Sequence, residues 1–286
     1  MKHIAFTKAE GAQNDFVIVD DRTRVLTDDD RRRFAQLTAH RRKGVGSDGT
    51  IIIDASETHD FTMHFFNPDG SVGSMCGNGG RCAALFAWKK QIAAANMCFE
   101  VLGRSYTASV QGDEITLSFP PPRSIEGWKD LDLNTDTLRI FVIDTGAPHV
   151  VLLHEQLPES FAVDFEELDM RRIGRIVRHH QYFAPVGVNV NVLRKHGLAL
   201  DIRTFEKGVE DETEACGTGT IAAAIAAHIH YGIAPPLELH THGGDTLHVG
   251  FSPASEHNFL DTRYYENALF LHGPARLVFD GEYVLE

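Results

Sequence analysis

Short apolar runs and alternating apolar and polar positions recur along most of the chain, and Gly, Asp and Asn residues separate them. Segments 50–54, 114–119 and 198–202 have the composition and the flanking turn residues of β-strands. A helix is predicted at 27–37, because Thr27 can cap its N-terminus, three aspartates suit its positive end and three arginines follow. The pattern therefore predicts a strand-rich α/β protein.

Two further helices are predicted at the alanine-rich segments 83–88 and 221–227, because alanine is the best helix former. Each segment follows a tetrad of the form Cys-Gly-(Asn/Thr)-Gly, which begins at Cys76 and at Cys216. Each cysteine is therefore expected at or just before a helix N-terminus. The backbone N–H groups and the positive end of the helix dipole stabilise an anion there, so we expect the pKa of each thiol to be lowered.

The chain contains an internal repeat. Four short motifs occur twice in the same order, starting at 11 and 146, 45 and 186, 66 and 205, and 75 and 215, which gives offsets of 135, 141, 139 and 140 residues. Ordered matches at a nearly constant offset predict two homologous halves. We therefore expect two similar α/β domains, 1–120 and 121–271, related by a pseudo-two-fold axis with a cleft between them. The prolines of 120–122 are the candidate linker, since they cannot continue a helix or a central strand.

Charge and hydropathy exclude two classes of partner. The 286 residues carry a formal net charge of −13, which argues against nucleic-acid binding. No apolar run approaches the roughly 20 residues of a membrane helix, and no signal peptide is evident, so a cytoplasmic protein is expected. The basic run 171–178 has helical spacing and is interpreted as a solvated helix face, the alternative being an anion-binding edge near a substrate carboxylate.

The two tetrads predict a reaction type. The four cysteines lack paired CxxC spacing, so a zinc site or a thioredoxin-type pair is not indicated, and Cys82 and Cys98 are expected to be buried filler. Glycine N–H groups beside Cys76 and Cys216 can approach a ligand carboxylate closely. Two thiols on opposite sides of the α-carbon of such a ligand would invert its configuration, one as base and the other as acid, without a cofactor or metal.

Two weaker motifs are set aside. Segment 44–49 matches G-x-G-x-x-G, but it follows a predicted helix and precedes a strand, the reverse of the order in a dinucleotide site. His240 and His242 are interpreted as polar positions on a half-exposed strand rather than as metal ligands, because no third ligand has convincing spacing.

Motifs along the whole chain resemble those of the diaminopimelate epimerases. The matching segments are 11–16, 67–71, 76–82, 189–191, 205–208, 214–219, 242–245 and 273–275. The resemblance implies PLP-independent conversion of LL- to meso-diaminopimelate for lysine and peptidoglycan synthesis, by an enzyme that is often a homodimer. It also implies two similar barrel-like domains, each around a central helix, with the last strands, about 272–286, completing the first domain.

The resemblance implies roles for individual residues besides Cys76 and Cys216. By similarity, four residues would bind the reacting carboxylate: Gly77, Asn78, Gly217 and Thr218. Five would recognise the distal amino-acid end of the substrate: Asn14, Asn67, Asn189, Glu206 and Lys207. His149 and Glu206 would line the site near the reacting centre.

The chain departs from the usual family pattern at Gly49, Ala147 and Lys207. Lysine at 207 stands where the family usually has arginine, and it cannot reproduce the planar bidentate grip of arginine on a carboxylate. These departures concern recognition of the distal end of the substrate. The alternative functions are a racemase of another amino acid, such as histidine or proline, a thiol redox protein, and an inactive binding module.

Overall fold

The computed structural model describes residues 1–252, 258–266 and 269–286. Within these ranges it has four α-helices: α1 (Asp28–Ala39), α2 (Gly77–Lys89), α3 (Met170–Arg178) and α4 (Gly217–Tyr231). The strands of the first part are β1 (Lys2–Gly11), β2 (Asn14–Asp20), β3 (Gly49–Asp54), β4 (Phe61–Phe66), β5 (Asn96–Val101), β6 (Arg104–Gln111) and β7 (Glu114–Ser118). The remaining strands are β8 (Ser124–Asp132), β9 (Thr137–Asp144), β10 (Pro148–Leu153), β11 (Asn189–His196), β12 (Ala199–Glu206), β13 (Asp211–Thr213), β14 (Leu237–Thr241), β15 (Thr246–Gly250), β16 (Phe270–Pro274) and β17 (Arg276–Leu285).

The chain divides into two compact units. Unit 1 comprises Met1–Ser118 and His272–Glu286, and unit 2 comprises Phe119–Leu271. The prolines of 120–122 lie outside helices and strands, between β7 and β8. The chain passes from unit 2 back to unit 1 within β16.

Strand pairing in unit 1 follows a simple order. Strand β1 pairs antiparallel with β2, β2 runs parallel to β3, β3 pairs antiparallel with β4, and β4 runs parallel to β5. The antiparallel pairs β5–β6 and β6–β7 follow. Strand β17 pairs antiparallel with β1. Helix α1 connects β2 to β3, and α2 connects β4 to β5.

Unit 2 repeats this order. Strand β9 pairs antiparallel with β10, β10 runs parallel to β11, β11 pairs antiparallel with β12, and β12 runs parallel to β14, which pairs antiparallel with β15. Strand β8 pairs with β9 as β17 pairs with β1. Helices α3 and α4 occupy the positions of α1 and α2. The repeated motifs of the sequence therefore correspond to a repeated order of elements, and the predicted fold class of two similar strand-rich units is confirmed.

Each unit surrounds one helix with strands. Helix α2 is buried from Gly77 to Ala87 and packs on β1, β2, β6 and β7. Helix α4 has a continuous buried stretch from Gly219 to Ala227 and packs on β9, β10, β11 and β15. The alanine and glycine residues of these two helices let the surrounding strands approach closely. Helices were predicted at the two alanine-rich segments, and they form the central helices of the two units, as the family resemblance implied.

The remaining helices cover the outer face of the sheets. In unit 1, Phe34 and Ala35 of α1 pack in one apolar cluster with Val17, Val19 and Ile52. In unit 2, Ile173 and Val177 of α3 pack with apolar side chains of β10, β11 and β12 in the same way. Strands with a helix on each face are buried on both faces, which explains the continuous burial of β3.

Most predicted elements are found. Helix α1 has Thr27 as its N-cap, with Thr27 and Asp30 forming a capping box. The predicted strands correspond to β3, β7 and β12, and the basic run 171–178 lies in α3 with its arginines mostly exposed. Segment 44–49 runs from the end of α1 into β3, in the predicted helix-before-strand order. In the described ranges, no helix has both the length and the apolar character needed to cross a membrane.

One polar position lies outside its predicted strand. His240 is on the half-exposed strand β14, but His242 follows that strand, because the chain turns at Thr241, whose N–H donates to the carbonyl oxygen of Asp245.

Candidate active site

Cys76 is the N-cap residue of α2. Its backbone is extended, and its Sγ accepts a hydrogen bond from the N–H of Gly79 at 3.4 Å. The three aspartates of the first turn of α1 neutralise the positive end of that helix, whereas α2, which is described over its whole length, has no acidic residue in its first turn. Cys76 therefore lies, half-buried, at a helix terminus that favours a bound anion.

Asn14 links Cys76 to a group of charged residues. The thiol of Cys76 donates to Oδ1 of Asn14 at 3.7 Å, and Nδ2 of Asn14 donates to the carboxylate of Asp48 at 2.7 Å. Arg41 pairs with Asp48 at 2.6 Å and with Asp15 at 2.9 Å. Burial and the neighbouring Asp15 raise the pKa of Asp48 above its ordinary value. Asn14 is thereby held with its amide nitrogen toward Asp48 and its oxygen toward the thiol.

The other predicted residues of unit 1 differ in their contacts. Gly77 and Asn78 are buried in the first turn of α2, and Oδ1 of Asn78 accepts a hydrogen bond from the buried Arg81 at 3.0 Å. This amide oxygen is therefore engaged by Arg81, and the backbone N–H of Asn78 lies in the first turn of the helix. Asn67 lies in a turn after β4, where its Nδ2 donates to Oγ of Ser71 at 2.9 Å.

Cys216 is the N-cap residue of α4. Like α2, this fully described helix has no acidic residue in its first turn, and the cysteine is half-buried with an extended backbone. Its sulfur lies 3.6 Å from Oγ1 of Thr218, a side chain in the first turn of the same helix. Gly217 is buried beside it. The carbonyl oxygen of Thr218 accepts a hydrogen bond from the hydroxyl of Thr145 at 2.9 Å, which fixes the helix terminus to the end of β9.

His149 connects Thr218 to the interior of unit 2. Its Nε2 lies 3.0 Å from Oγ1 of Thr218, and its Nδ1 lies 3.2 Å from Nδ2 of Asn191. The imidazole is completely buried, and this desolvation, with a smaller contribution from the charge of Lys207, lowers the pKa of His149 to about 3. His149 is therefore neutral at physiological pH.

Asn189 lies 3.5 Å from Nε2 of His149, and it is linked to the neighbouring residues Glu206 and Lys207. Oδ1 of Asn189 accepts a hydrogen bond from the backbone N–H of Lys207 at 2.7 Å, and its Nδ2 donates to the carbonyl oxygen of Pro148 at 3.3 Å. Glu206, the last residue of β12, accepts a hydrogen bond from the hydroxyl of Thr213 at 3.1 Å. Unit 2 thus brings together the seven residues that the sequence assigned to its site.

Three residues that the sequence did not single out hold this arrangement. Asn191 and Thr204 are buried polar residues behind His149, and Asp48 orients Asn14. The available signal was the alternation of Asn189 and Asn191 with valines in the buried part of β11. Only the pairing of β11 with β10 shows that the amide of Asn191 contacts His149.

The structure gives a physical reason for one departure from the family pattern. A Cβ atom at Gly49 would lie 2.4 Å from the ring of Phe65, so the aromatic ring occupies the space that a side chain at position 49 would need. Ala147 lies half-buried in the turn between β9 and β10, where its carbonyl oxygen accepts from the N–H of Thr145 at 3.1 Å.

The remaining two cysteines, Cys82 and Cys98, are not at a helix N-terminus. Cys82 is completely buried in α2, and this burial raises the pKa of its thiol. Cys98 is on β5 and is only half-buried, so the expected burial is confirmed for Cys82 and was wrong for Cys98. In the part of the chain that the structure describes, no three His, Cys, Asp or Glu side chains form a group that could hold a metal ion.

Sequence comparison identifies relatives over nearly the whole chain. The family described as diaminopimelate epimerase matches residues 6–119 and 141–250. The diaminopimelate epimerase of Chlorobaculum tepidum is 36% identical, covering 96% of this chain and 99% of the relative. That of Aquifex aeolicus is 35% identical, with 91% of this chain and 95% of the relative covered.

Similar folds occur among solved structures. A probable proline racemase from Agrobacterium radiobacter, with bound carbonate, has a TM-score of 0.67 at 12% identity, with 99% of this chain and 93% of the other chain covered. A phenazine biosynthesis protein of the PhzF family from Bacillus anthracis has a TM-score of 0.66 at 16% identity, with both chains fully covered.

Proposed function

This chain belongs to the diaminopimelate epimerase family, and on that basis we propose that it interconverts LL- and meso-diaminopimelate by a two-cysteine mechanism without PLP. The single observation that best supports the mechanism is the equivalent placement of Cys76 and Cys216, each as the N-cap residue of a central helix that has no acid in its first turn, both helices being fully described. Such a placement favours thiolate character in both cysteines.

In the proposed reaction one cysteine is a thiolate and the other is a thiol. The thiolate takes the α-proton from one face of the substrate, and the thiol gives a proton to the opposite face, so that the configuration inverts and the two sulfurs exchange protonation states. Each cysteine is then the base in one direction and the acid in the other. No electron or group transfer is needed, and no atom is lost.

The first turns of α2 and α4 are proposed to bind the reacting carboxylate. Gly77, Asn78, Gly217 and Thr218 lie in these turns, where backbone N–H groups and the helix dipole attract an anion. Negative charge that develops on the carboxylate side of the carbanion would be stabilised by the same groups.

The distal end of the substrate is proposed to lie near Asn14, Asn67, Asn189, Glu206 and Lys207. In unit 2, Asn189 and Lys207 are joined by a hydrogen bond, and Glu206 is the neighbour of Lys207, so an acid and a base are available together for the distal carboxylate and ammonium groups. His149 lies beside them and next to Thr218, which supports its placement near the reacting centre.

The biological setting proposed for this reaction is lysine and peptidoglycan synthesis in the cytoplasm. Catalysis by two thiols requires a reducing compartment, which supports the cytoplasmic location. A homodimer is supported by β17, on which Val278, Phe279 and Val284 expose large parts of apolar side chains.

The experiment that tests the function is NMR of the reduced enzyme with LL-diaminopimelate in D2O, without added PLP. We expect deuterium at the α-position as the meso isomer forms. Cys76→Ala and Cys216→Ala should each lower the epimerisation rate at least about 10³-fold, because each removes one proton carrier. Cys98→Ala is the control, since Cys98 lies on β5 and not at the start of a central helix, and it should keep the wild-type rate.

Two results would contradict the proposal. Turnover of another amino acid, with no meso product from LL-diaminopimelate, would assign a different substrate to the same chemistry. Full epimerisation by either of the two cysteine variants would refute the two-thiol mechanism.

A further inference from the structure

We propose that the resting enzyme holds Cys216 as the thiolate and Cys76 as the thiol, and that Asn191 acts as a positioning residue that sets this assignment through His149 and Thr218. The inference rests on the proposed function, because it assigns the starting protonation states of the two proposed catalytic groups. It follows from a chain of hydrogen bonds that begins at the carbonyl oxygen of Val150, which can only accept.

The side-chain amide of Asn191 has one orientation. Its Nδ2 lies 2.9 Å from the carbonyl oxygen of Val150, which can only accept a hydrogen bond. Its Oδ1 accepts a hydrogen bond from the hydroxyl of Thr204 at 2.9 Å. Exchanging the two amide atoms would place two acceptors in contact inside the core, where water cannot compensate.

The orientation of Asn191 selects the tautomer of His149. The second hydrogen of Nδ2 points toward Nδ1 of His149 at 3.2 Å, so Nδ1 is an acceptor. Because the buried ring is neutral, its one hydrogen is on Nε2. Nδ2 of Asn189 lies 3.5 Å from Nε2, which is longer than the 3.2 Å contact on the other side, and its main acceptor is the carbonyl oxygen of Pro148.

The tautomer of His149 directs the hydroxyl of Thr218. Nε2–H donates to Oγ1 of Thr218 at 3.0 Å, so the hydroxyl hydrogen is available for another acceptor. The sulfur of Cys216, at 3.6 Å, is such an acceptor. A hydroxyl that donates to sulfur stabilises the thiolate and lowers the pKa of the cysteine.

The side-chain contact of Cys76 runs in the opposite direction, because here the sulfur is the donor and the side chain of Asn14 is the acceptor. Oδ1 of Asn14 can only accept, and it is fixed in place because Nδ2 of the same side chain donates to Asp48. The thiol form of Cys76 donates to this oxygen and accepts from the N–H of Gly79, whereas a thiolate would face the oxygen without a hydrogen between them. The charged groups behind Asn14 include Asp48, Asp15, Arg41 and Lys8, and Lys207 is a charged group that acts on His149.

Protonation can be measured without substrate. The reduced protein is alkylated with iodoacetamide across a range of pH, and the rate at each cysteine is followed by mass spectrometry of its peptide. Only the thiolate is alkylated, so the pH midpoint for each peptide reports the pKa of that cysteine in a way that does not depend on its accessibility. We expect the midpoint of Cys216 to lie at least one pH unit below that of Cys76, which is a tenfold difference in the equilibrium constant.

Variants test whether the hydrogen bonds from Asn191 through His149 and Thr218 set the pKa of Cys216 or only stabilise the structure. We call this series of hydrogen bonds the relay. Thr218→Val should raise the midpoint of Cys216 by about one pH unit, and Thr218→Ser, which keeps the hydroxyl, should leave it unchanged. Thr220→Val is the matched control, because the hydroxyl of Thr220 donates to the carbonyl oxygen of Cys216 and not to its sulfur. Asn191→Asp should raise the midpoint as Thr218→Val does, since a carboxylate accepts from Nδ1–H and thus reverses the tautomer of His149.

A midpoint for Cys76 at or below that of Cys216 would overturn the proposal, and so would an unchanged Cys216 midpoint in Thr218→Val. Thr218 is half-buried at a helix start, so its variants test the relay even if Asn191→Asp does not fold. The measurement uses no diaminopimelate, so a chain with the expected midpoints but no epimerase activity would refute the proposed function and leave this inference standing.

Discussion

At the scale of the residue, His149 shows how burial decides chemistry. His149 is on β10, and its buried ring has polar contacts on both nitrogens, with Asn191 of β11 and Thr218 of α4, so the cost of burying a charge keeps it neutral. A neutral imidazole with a fixed tautomer is a directional hydrogen-bond donor. It is therefore suited to orienting the hydroxyl of Thr218 rather than to exchanging protons at neutral pH.

The burial of His149 predicts a loss of stability in acid. The unfolded chain takes up a proton at this histidine near pH 6.5, whereas the pKa in the folded protein is about 3, so acidification through this range favours unfolding. At ~1.4 kcal/mol per pH unit, His149 should remove about 2 kcal/mol of stability between pH 6.5 and pH 5. Urea unfolding at several pH values measures this change in free energy.

The comparison that isolates His149 is the slope of stability against pH. His149→Asn should have a shallower slope than the wild type below pH 6.5, even if its stability at pH 7.5 is lower. His196→Asn, at an exposed histidine, is the control. Equal slopes in the wild type and His149→Asn would show that this histidine does not resist protonation.

Lys207 is the residue through which substrate recognition is most directly tested. Lys207→Met removes one charge from the proposed distal site, and we expect KM for diaminopimelate to rise about 10-fold or more while kcat changes less, because the lost contact is with the non-reacting end. Lys207→Arg should lower KM, since a guanidinium can bind a carboxylate in a bidentate manner. Steady-state kinetics checks both variants, and a fall in kcat alone would place Lys207 at the reacting centre.

Residues with intrinsic chemistry were predictable from the sequence, and residues that act by orientation were not. Cys76 and Cys216 were predicted at helix N-termini from the tetrads and the alanine-rich segments, and the structure has them there. The position of Asn191 was visible, but its role depends on facing the carbonyl oxygen of Val150 in the next strand. That register is a tertiary property, which periodicity alone does not determine.

At the scale of the element, the first turns of α2 and α4 are built alike but packed differently. A Cβ atom added at Gly79 would lie 3.3 Å from Cδ1 of Ile51, the end of a side chain that can move. At Gly219 it would lie 2.5 Å from Oδ1 of Asn191, an amide held by three hydrogen bonds. Gly219 is thus required for the start of α4 to approach Asn191.

This difference predicts unequal effects of the same substitution. Gly219→Ala should lower kcat about 10-fold or more and raise the alkylation midpoint of Cys216, because the amide of Asn191 or the start of α4 must shift. Gly79→Ala should have a much smaller effect, since Ile51 can adjust and the N–H that contacts Cys76 is retained. Kinetics and alkylation of both variants test this, and an equal loss in the two would mean that packing on Asn191 is unimportant.

Elements with strong local signals were predicted well. The N-cap and acidic first turn of α1, and the alanine content of α2 and α4, are local signals from which these helices could be predicted. Helix and strand boundaries that depend on a partner were less accurate. Strand β14 ends at Thr241 because the chain turns there, so His242 lies beyond it.

At the scale of the whole molecule, the repeated order of elements explains why the proposed reaction has two cysteines in equivalent positions. Each unit presents a cysteine at the start of its central helix, in the same place in its strand order. The internal sequence repeat was enough to predict this duplication. The sequence did not indicate which strands pair in parallel or that α1 and α3 cover the outer faces of the sheets. Both features were seen only in the structure.

The proposed homodimer gives a test at this scale. Val278 and Phe279 expose about half of their side chains on β17, and the described pairing of this strand is with β1 alone. Phe279→Lys should therefore lower the mass measured by light scattering from that of a dimer to that of a monomer. Leu198→Lys, at a highly exposed apolar position in unit 2, is the control. A monomeric wild-type protein would refute the homodimer directly.

The pairing of β1 with β17 also sets an order for folding during synthesis. Strand β1 leaves the ribosome before unit 2, yet its partner β17 follows the whole of unit 2. Unit 2 is continuous, so it can fold as soon as it has emerged, whereas the larger part of unit 1 must wait with the edge of β1 uncovered. The nascent chain is thus exposed to aggregation at β1, and a chaperone that binds this segment during translation would protect it until β17 arrives.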